Sequence, residues 1–180
     1  MRKLATSELN RPSREEFKIA ARLPVVIVLD NVRSAYNVGS VFRSCDAFAV
    51  EKILLCGITA SPPNREVMKT ALGSTESIPW EYFSSATEAV KHLRQDGFTI
   101  ILIEQTDESV SLGKFLPKEN KKYALIFGNE VDGISDELLS LADGAIEIPQ
   151  FGTKHSFNIS VSAGIVLWDF FLKITRASEH

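Results

Sequence analysis

The chain alternates between short, continuous apolar runs and segments whose apolar residues recur at helical spacing. Val25-Val26-Ile27-Val28-Leu29, introduced by Pro24, is apolar throughout, as expected of a strand covered on both faces. Ile53-Leu54-Leu55-Cys56 repeats the pattern, and further strands are expected at 78–83, 98–103, 123–127 and 145–148. Helices are expected between them, near 65–72, at 85–95 (closed by Gly97) and at 135–141. Ser13-Arg14-Glu15-Glu16 has the spacing of a capping box, so a first helix should run to about Ala21. Strands that alternate with helices imply an α/β fold, a mostly parallel sheet flanked by helices.

The segment from Asn158 to about Arg176 is a helix of unusual composition. Ile159, Val161, Ile165, Val166, Leu167, Trp168, Phe170, Phe171 and Leu172 point nearly all round its axis. A helix apolar on most faces must be buried on most faces. Either it is the central core helix of a monomer, or its second face is hidden in a dimer interface, which is the preferred expectation.

Composition bounds the class. With 180 residues, 44% hydrophobic and 24% charged, the chain can bury a core without disulfides or a structural metal. Cys45 and Cys56 each sit inside an apolar run, a spacing that fits no metal site, so two buried thiols are expected. The start lacks the apolar core of a signal peptide and no apolar stretch reaches membrane-spanning length. A cytoplasmic protein without membrane contact is expected. The net charge is −3, but residues 1–22 hold six basic against three acidic side chains. A basic N-terminal helical arm (1–22) therefore precedes a single domain (23–180), and it could touch phosphates or simply be a solvated helix.

Three loops at the carboxyl ends of expected strands can carry chemistry, which is where open α/β sheets bind ligands. The first runs from Asp30 to Arg43 and contains Arg33, Asn37 and Gly39. If a helix starts near Asn37, then Val38, Val41, Phe42 and Cys45 share one face. Arg43 lies about 140° from Val38, free to meet a phosphate or a reacting oxygen, or simply exposed. The second loop, Phe127-Gly128-Asn129-Glu130-Val131-Asp132-Gly133, precedes a helix that Ser135 could cap. Glu130 and Asp132 are too few ligands to argue for a metal, and no metal is expected. The third loop, 148–158, contains His155 beside Ser156, but sequence neighbours seldom point at one another and no G-x-S-x-G elbow exists. No P-loop and no G-x-G-x-x-G occurs either. Ser156 or Asn158 could cap the last helix.

Each loop alone is modest, but their order is specific. Asn37-x-Gly39-x-x-x-Arg43, then Phe127-Gly128-x-Glu130-x-x-Gly133, then Ile148-Pro149 followed by Ser156-Phe157-Asn158-Ile159-Ser160 resemble the three motifs of the SpoU (TrmH-like) RNA 2′-O-ribose methyltransferases of the SPOUT superfamily. The resemblance spans about Pro24 to Phe171. It implies a C-terminal deep trefoil knot, a homodimer packed through first and last helices of the core, and S-adenosylmethionine as cofactor. It also implies that Gly128, Ile148, Ser156 and Phe157 contact that donor, together with Glu104 or Gln105 after Ile103. The same resemblance assigns the ribose hydroxyl to Arg43, with Asn37, Glu130, Ser156 and Asn158 orienting it. Arg33, Arg43, Lys154 and His155 are expected to face RNA. Two positions depart from the family pattern: Gln150 replaces a common Met and Phe157 a common Leu. The substrate expected is RNA, tRNA before rRNA. The competing readings are a SPOUT-fold RNA-binding module without catalysis and a base-nitrogen methyltransferase.

Overall fold

The run Val25–Leu29 lies in strand β1 (Leu23–Asp30). Val25, Ile27 and Leu29 enter one layer of the core, Val26 and Val28 the other, and all five are fully buried. The computed structural model describes residues 1–5 and 8–177. The remaining strands are β2 (Val50–Cys56), β3 (Trp80–Phe83), β4 (Phe98–Ile103), β5 (Val110–Ser111), β6 (Lys122–Phe127) and β7 (Gly144–Glu147). Every pairing is parallel, and the strand order is β3-β2-β1-β6-β4-β7-β5. The helices are α1 (Arg14–Ile19), α2 (Ala35–Ala47), α3 (Arg65–Ala71), α4 (Ala86–Gln95), α5 (Asp136–Leu141) and α6 (Ile159–Ala177). The α/β class expected from the alternation of apolar runs and helical segments is the one observed.

Helices α2, α3 and α6 cover one face of the sheet, and α4 and α5 cover the other. Val38, Val41, Phe42 and Cys45 share the buried side of α2, as their spacing predicts. Boundaries differ in instructive ways. α2 begins at Ala35 rather than near Asn37, because Ser34 Oγ accepts the Asn37 N–H at 3.3 Å and caps the helix earlier. α1 has its full capping box, yet it stops at Ile19 rather than Ala21 because Ala20 turns extended. β3 starts at Trp80, not Ile78: a 3-10 turn at Ser74–Glu76 precedes it, and Pro79 has no N–H for a ladder. β5 and a second 3-10 turn, Leu112–Lys114, were not expected; both are too short to have a period.

One strand placement has consequences for the whole molecule. β7 is bonded to β4 on one side and β5 on the other. Both neighbours belong to the stretch that returns to β6, which itself pairs with β4. α5 precedes β7 on one face of the sheet and α6 follows it on the opposite face. The chain therefore passes from one face of the sheet to the other at a strand that lies between two of its own earlier strands. α6 is fastened there: Phe115 stacks on Phe170 with ring centroids 5.6 Å apart, and Lys173 Nζ donates to the Leu112 carbonyl at 2.7 Å.

Within one chain, α6 buries Ala163, Val166, Leu167 and Phe170. Val161 and Trp168 remain 48% and 52% exposed, and with the half-buried Ile165 and Leu172 they form a second stripe at helical spacing. No helix among the described residues is long and apolar enough to cross a membrane.

The glycine at position 39 has a packing reason. A Cβ there would lie 2.1 Å from Thr70 Oγ1 and 2.3 Å from the Val67 carbonyl oxygen, so α2 and α3 touch backbone to backbone. Gly39→Ala is expected to cost about 1–3 kcal/mol of stability, read as a lower urea midpoint with an unchanged slope. An unchanged midpoint would show that the two helices separate at no cost.

Candidate functional site

β1, β6, β4 and β7 are neighbours in the sheet, and because all are parallel their carboxyl ends open on one edge. The loop after β1 is pinned from both sides. Thr59 Oγ1 accepts the Val32 N–H and donates to the Leu29 carbonyl, each at 3.0 Å. Asn31 Oδ1 accepts the Ile58 N–H at 3.1 Å. Burial pushes the Asp30 carboxyl pKa up, opposed by the hydrogen bond it accepts from Asn31 Nδ2 at 2.7 Å. The Asn31 carbonyl accepts from Asn129 Nδ2 at 2.8 Å, which ties the first loop to the second.

Asn129 also organises its own loop. Its Oδ1 accepts the N–H groups of Val131 and Asp132 at 2.8 and 3.1 Å, and its backbone pairs with Gly133 in both directions. The turn is tight enough that a Cβ on Gly128 would lie 2.7 Å from the Gly133 carbonyl group. Gly133 has φ +68° and sits over Glu104, whose Oε2 would be 3.0 Å from an added Cβ. Only residues without a Cβ let the three segments come this close.

Held this way, Glu130 meets the first loop. Its Oε2 accepts the Arg33 N–H at 3.2 Å, and its Oε1 takes a long contact, 3.4 Å, from Asn37 Nδ2. Asn37 Oδ1 accepts in turn from Asn158 Nδ2 at 3.1 Å. Asn158 also caps α6, its Oδ1 accepting from Ser160 N and Oγ at 2.9 and 2.6 Å. The cap expected of Asn158 is real, and the same side chain reaches the site. The third loop is closed by a clamp: Gln105 Nε2 and Gln150 Nε2 both donate to the His155 carbonyl, at 3.2 and 3.3 Å.

These loops enclose a cavity of about 290 Å³. Its apolar floor is made by Ile103, Ile146, Ile148 and Ile159, and its titratable lining by Glu104, Glu130, Glu147 and His155. Among the described residues no lysine or arginine lines it, so it suits a flat apolar group and a cation better than a phosphate. A larger cavity, about 810 Å³, opens at the amino ends of β1 and β6 beside Arg22, Phe48 and Phe171, and contains none of the motif residues.

All six residues expected to touch a donor, Glu104, Gln105, Gly128, Ile148, Ser156 and Phe157, line the smaller cavity, as do Glu130 and His155. Asn37 and Asn158 stand beside it through Glu130. Arg43 stands apart. It is exposed on α2, outside the lining, next to Ser44, whose Oγ is 3.9 Å from where a Cβ on Gly164 of α6 would be. Arg33 points toward Asp132 at 3.7 Å, an exposed pair of little energetic worth, and Lys154 is exposed. Among the described residues no three His, Cys, Asp or Glu side chains gather as metal ligands. Asn129 and the glutamine clamp were missed from sequence. Asn129 partners a backbone atom of Asn31, and no periodic pattern signals such a bond.

Comparison with known proteins agrees with the geometry. Residues 24–168 match the family model described as the SpoU rRNA Methylase family. A 23S rRNA (guanosine-2′-O-)-methyltransferase of Neisseria meningitidis is 31% identical over 144 residues, 80% of this chain and 56% of the relative. A tRNA (guanosine(18)-2′-O)-methyltransferase of Thermus thermophilus is 29% identical over 163 residues, covering 91% of this chain and 82% of that one. Among solved structures, the A. aeolicus TrmH/SpoU tRNA modifying enzyme superposes with a TM-score of 0.78 at 26% identity, over 92% of this chain and 82% of that one. The AdoMet-bound rRNA methyltransferase of Sinorhizobium meliloti gives 0.76 at 27% identity, over 87% and 58%.

Asn129→Ala removes both side-chain bonds to the second loop's amides. Hydrogen exchange at Val131 and Asp132 is expected to quicken about tenfold or more, since each bond contributes about 1 kcal/mol. Global unfolding should shift far less. Unchanged exchange at these two amides would show that the loop holds itself.

Proposed function

The chain belongs to the SpoU rRNA methylase family, and from that membership we propose that it transfers a methyl group from S-adenosylmethionine to a ribose 2′-hydroxyl of RNA. The observation that carries this reading is that residues of the second and third motif loops line one cavity, with Asn37 of the first tied to them through Glu130. The chain spans 56% of the length of the Neisseria relative, so the activity of the whole protein rests on this argument and on its test.

The cavity fits the donor on its own terms. An apolar floor suits a purine, and carboxylates without opposing lysine or arginine suit a sulfonium and an amino group. Gly128, Ile148, Ser156 and Phe157 would hold it, with Glu104 and Gln105 at the end of β4. When bound, S-adenosylmethionine supplies a methyl already activated by its positive sulfur. The protein's own task is then positioning and charge stabilisation. Asn158, Asn37 and Glu130 form a polar line from the α6 N-terminus to the cavity and fix one wall for the incoming ribose. A guanidinium keeps its proton at neutral pH, so Arg43 serves as a fixed positive charge for a backbone phosphate and for the oxygen as it develops negative charge. Ser156 shapes the pocket between donor and ribose. Arg33, Lys154 and His155 are assigned to RNA phosphates, a reading supported by the exposure of all three.

The substrate we assign is tRNA before rRNA, supported by the matched length: the chain covers 82% of the tRNA-modifying Thermus relative. The uncovered stripe Val161, Ile165, Trp168 and Leu172 supports a homodimer packed through α6. The crossing of β7 between β4 and β5 supports reading the C-terminal segment as the trefoil knot of the family. We assign the molecule to the cytoplasm, with residues 1–22 as a basic arm on a domain of residues 23–180; residues 6–7 and 178–180 of this division lie outside the described residues.

Arg43→Ala is expected to reduce methyl transfer to an RNA ribose about a hundred- to a thousandfold, the loss typical of removing a transition-state charge stabiliser. Calorimetric affinity for S-adenosylmethionine should stay within about twofold, because Arg43 lies outside the cavity lining. Retained turnover would refute the role of Arg43. Failure of the unaltered protein to bind the donor would refute the function.

A further inference from the structure

Phe151 is 99% exposed, an unusual position for a phenyl ring. It directly follows Gln150, which lines the cavity, yet is itself outside the lining. Slackness of the loop does not explain the exposure. The His155 carbonyl accepts from Gln150 across the loop and from Gln105 at the end of β4, so both ends are tied. The ring is thus exposed on a loop tied at both ends, next in sequence to a residue that lines the cavity.

Its surroundings indicate what it is displayed to. Lys154 and His155 follow on the same loop and are exposed. The backbone N–H of Arg33 is bonded to the cavity-lining Glu130, while its guanidinium lies 3.7 Å from Asp132. Among the described residues the cavity is lined by carboxylates and by no lysine or arginine, so phosphates of a nucleic acid would be met outside it rather than inside. An exposed lysine on the same short loop as a free aromatic ring offers a base its π-face and its phosphate a positive charge, because every base has a π-face and a paired, stacked base has none to offer. Val131, 70% exposed on the facing loop, adds a second apolar contact at the mouth.

We propose that Phe151 is a stacking platform for an unpaired nucleobase beside the ribose that is methylated, so that the substrate is a looped or single-stranded segment of RNA and not a stem. This rests on the reading of the chain as an RNA ribose methyltransferase.

The test compares the full-length protein with Phe151→Ala and Phe151→Trp, using a hairpin RNA with 2-aminopurine in its loop and a duplex of the same sequence. The wild type is expected to quench 2-aminopurine in the hairpin. Phe151→Ala should lose the quench and raise the RNA Kd and KM roughly 5- to 150-fold, the equivalent of about 1–3 kcal/mol per stacked base. Phe151→Trp should restore both. Affinity for S-adenosylmethionine should stay within twofold in all three, and duplex binding should not distinguish them. Hairpin binding and quench unchanged by Phe151→Ala overturn the proposal. So does a loss of RNA affinity accompanied by a change of oligomeric mass, which would assign the ring to a second copy of the chain. A wild type that binds RNA but transfers no methyl counts against the functional reading alone, because quench and affinity still decide the role of Phe151.

Discussion

β7 lies between two strands that come from one earlier stretch of chain, and much of the molecule follows from that placement. It brings the carboxyl end of β7 beside that of β4, and β6 is already there. It also sends the following segment through to the opposite face, where α6 packs on α2. The third motif is the connection between these two demands. It must climb from the end of β7, turn over the sheet edge and start a helix on the far side. The pocket is the space left under that turn. Part of its wall is bare backbone, because a side chain at Gly128 would collide with the backbone of Gly133.

Polar bonds then set the register among loops far apart in sequence. Asn129 binds the carbonyl of Asn31, and Asn37 lies between Glu130 and Asn158. Each of these amides both donates and accepts, which lets one side chain join two segments. Lysine or arginine could not do this, and either would bring a positive charge to a cavity that otherwise has three carboxylates. The carboxylates of the lining and the exposed Arg33, Arg43 and Lys154 thus keep negative and positive charge apart.

Much of the fold was legible in the sequence. The apolar run of β1 reads as a doubly covered strand because its neighbours on both faces are helices. The buried side of α2 follows from Val38, Val41, Phe42 and Cys45, and the outward place of Arg43 follows from the same periodicity. The cavity-lining residues were found through motif order and not through pattern. Less legible were features decided by partners distant in sequence. Nothing local marks Asn129 as the bridge to Asn31. The glutamine clamp depends on a carbonyl, a group that every residue has. β5 has two residues and exists because β7 offers it an edge. Gly39 was legible as a motif position, but its reason, contact with Val67 and Thr70, belongs to the packing of α2 on α3.

The tie between Lys173 and the Leu112 carbonyl bears on how such a chain is made. Residues 98–127 leave the ribosome before β7 and α6 exist, so β4 can pair with β6 while the rest is still being synthesised. β5 pairs with β7, and Leu112 and Phe115 are held by α6, so that stretch takes its place only once the chain from Gly144 onward is present. A nascent chain stalled short of α6 would expose the apolar surface that this helix covers, and chaperones would meet it in that form.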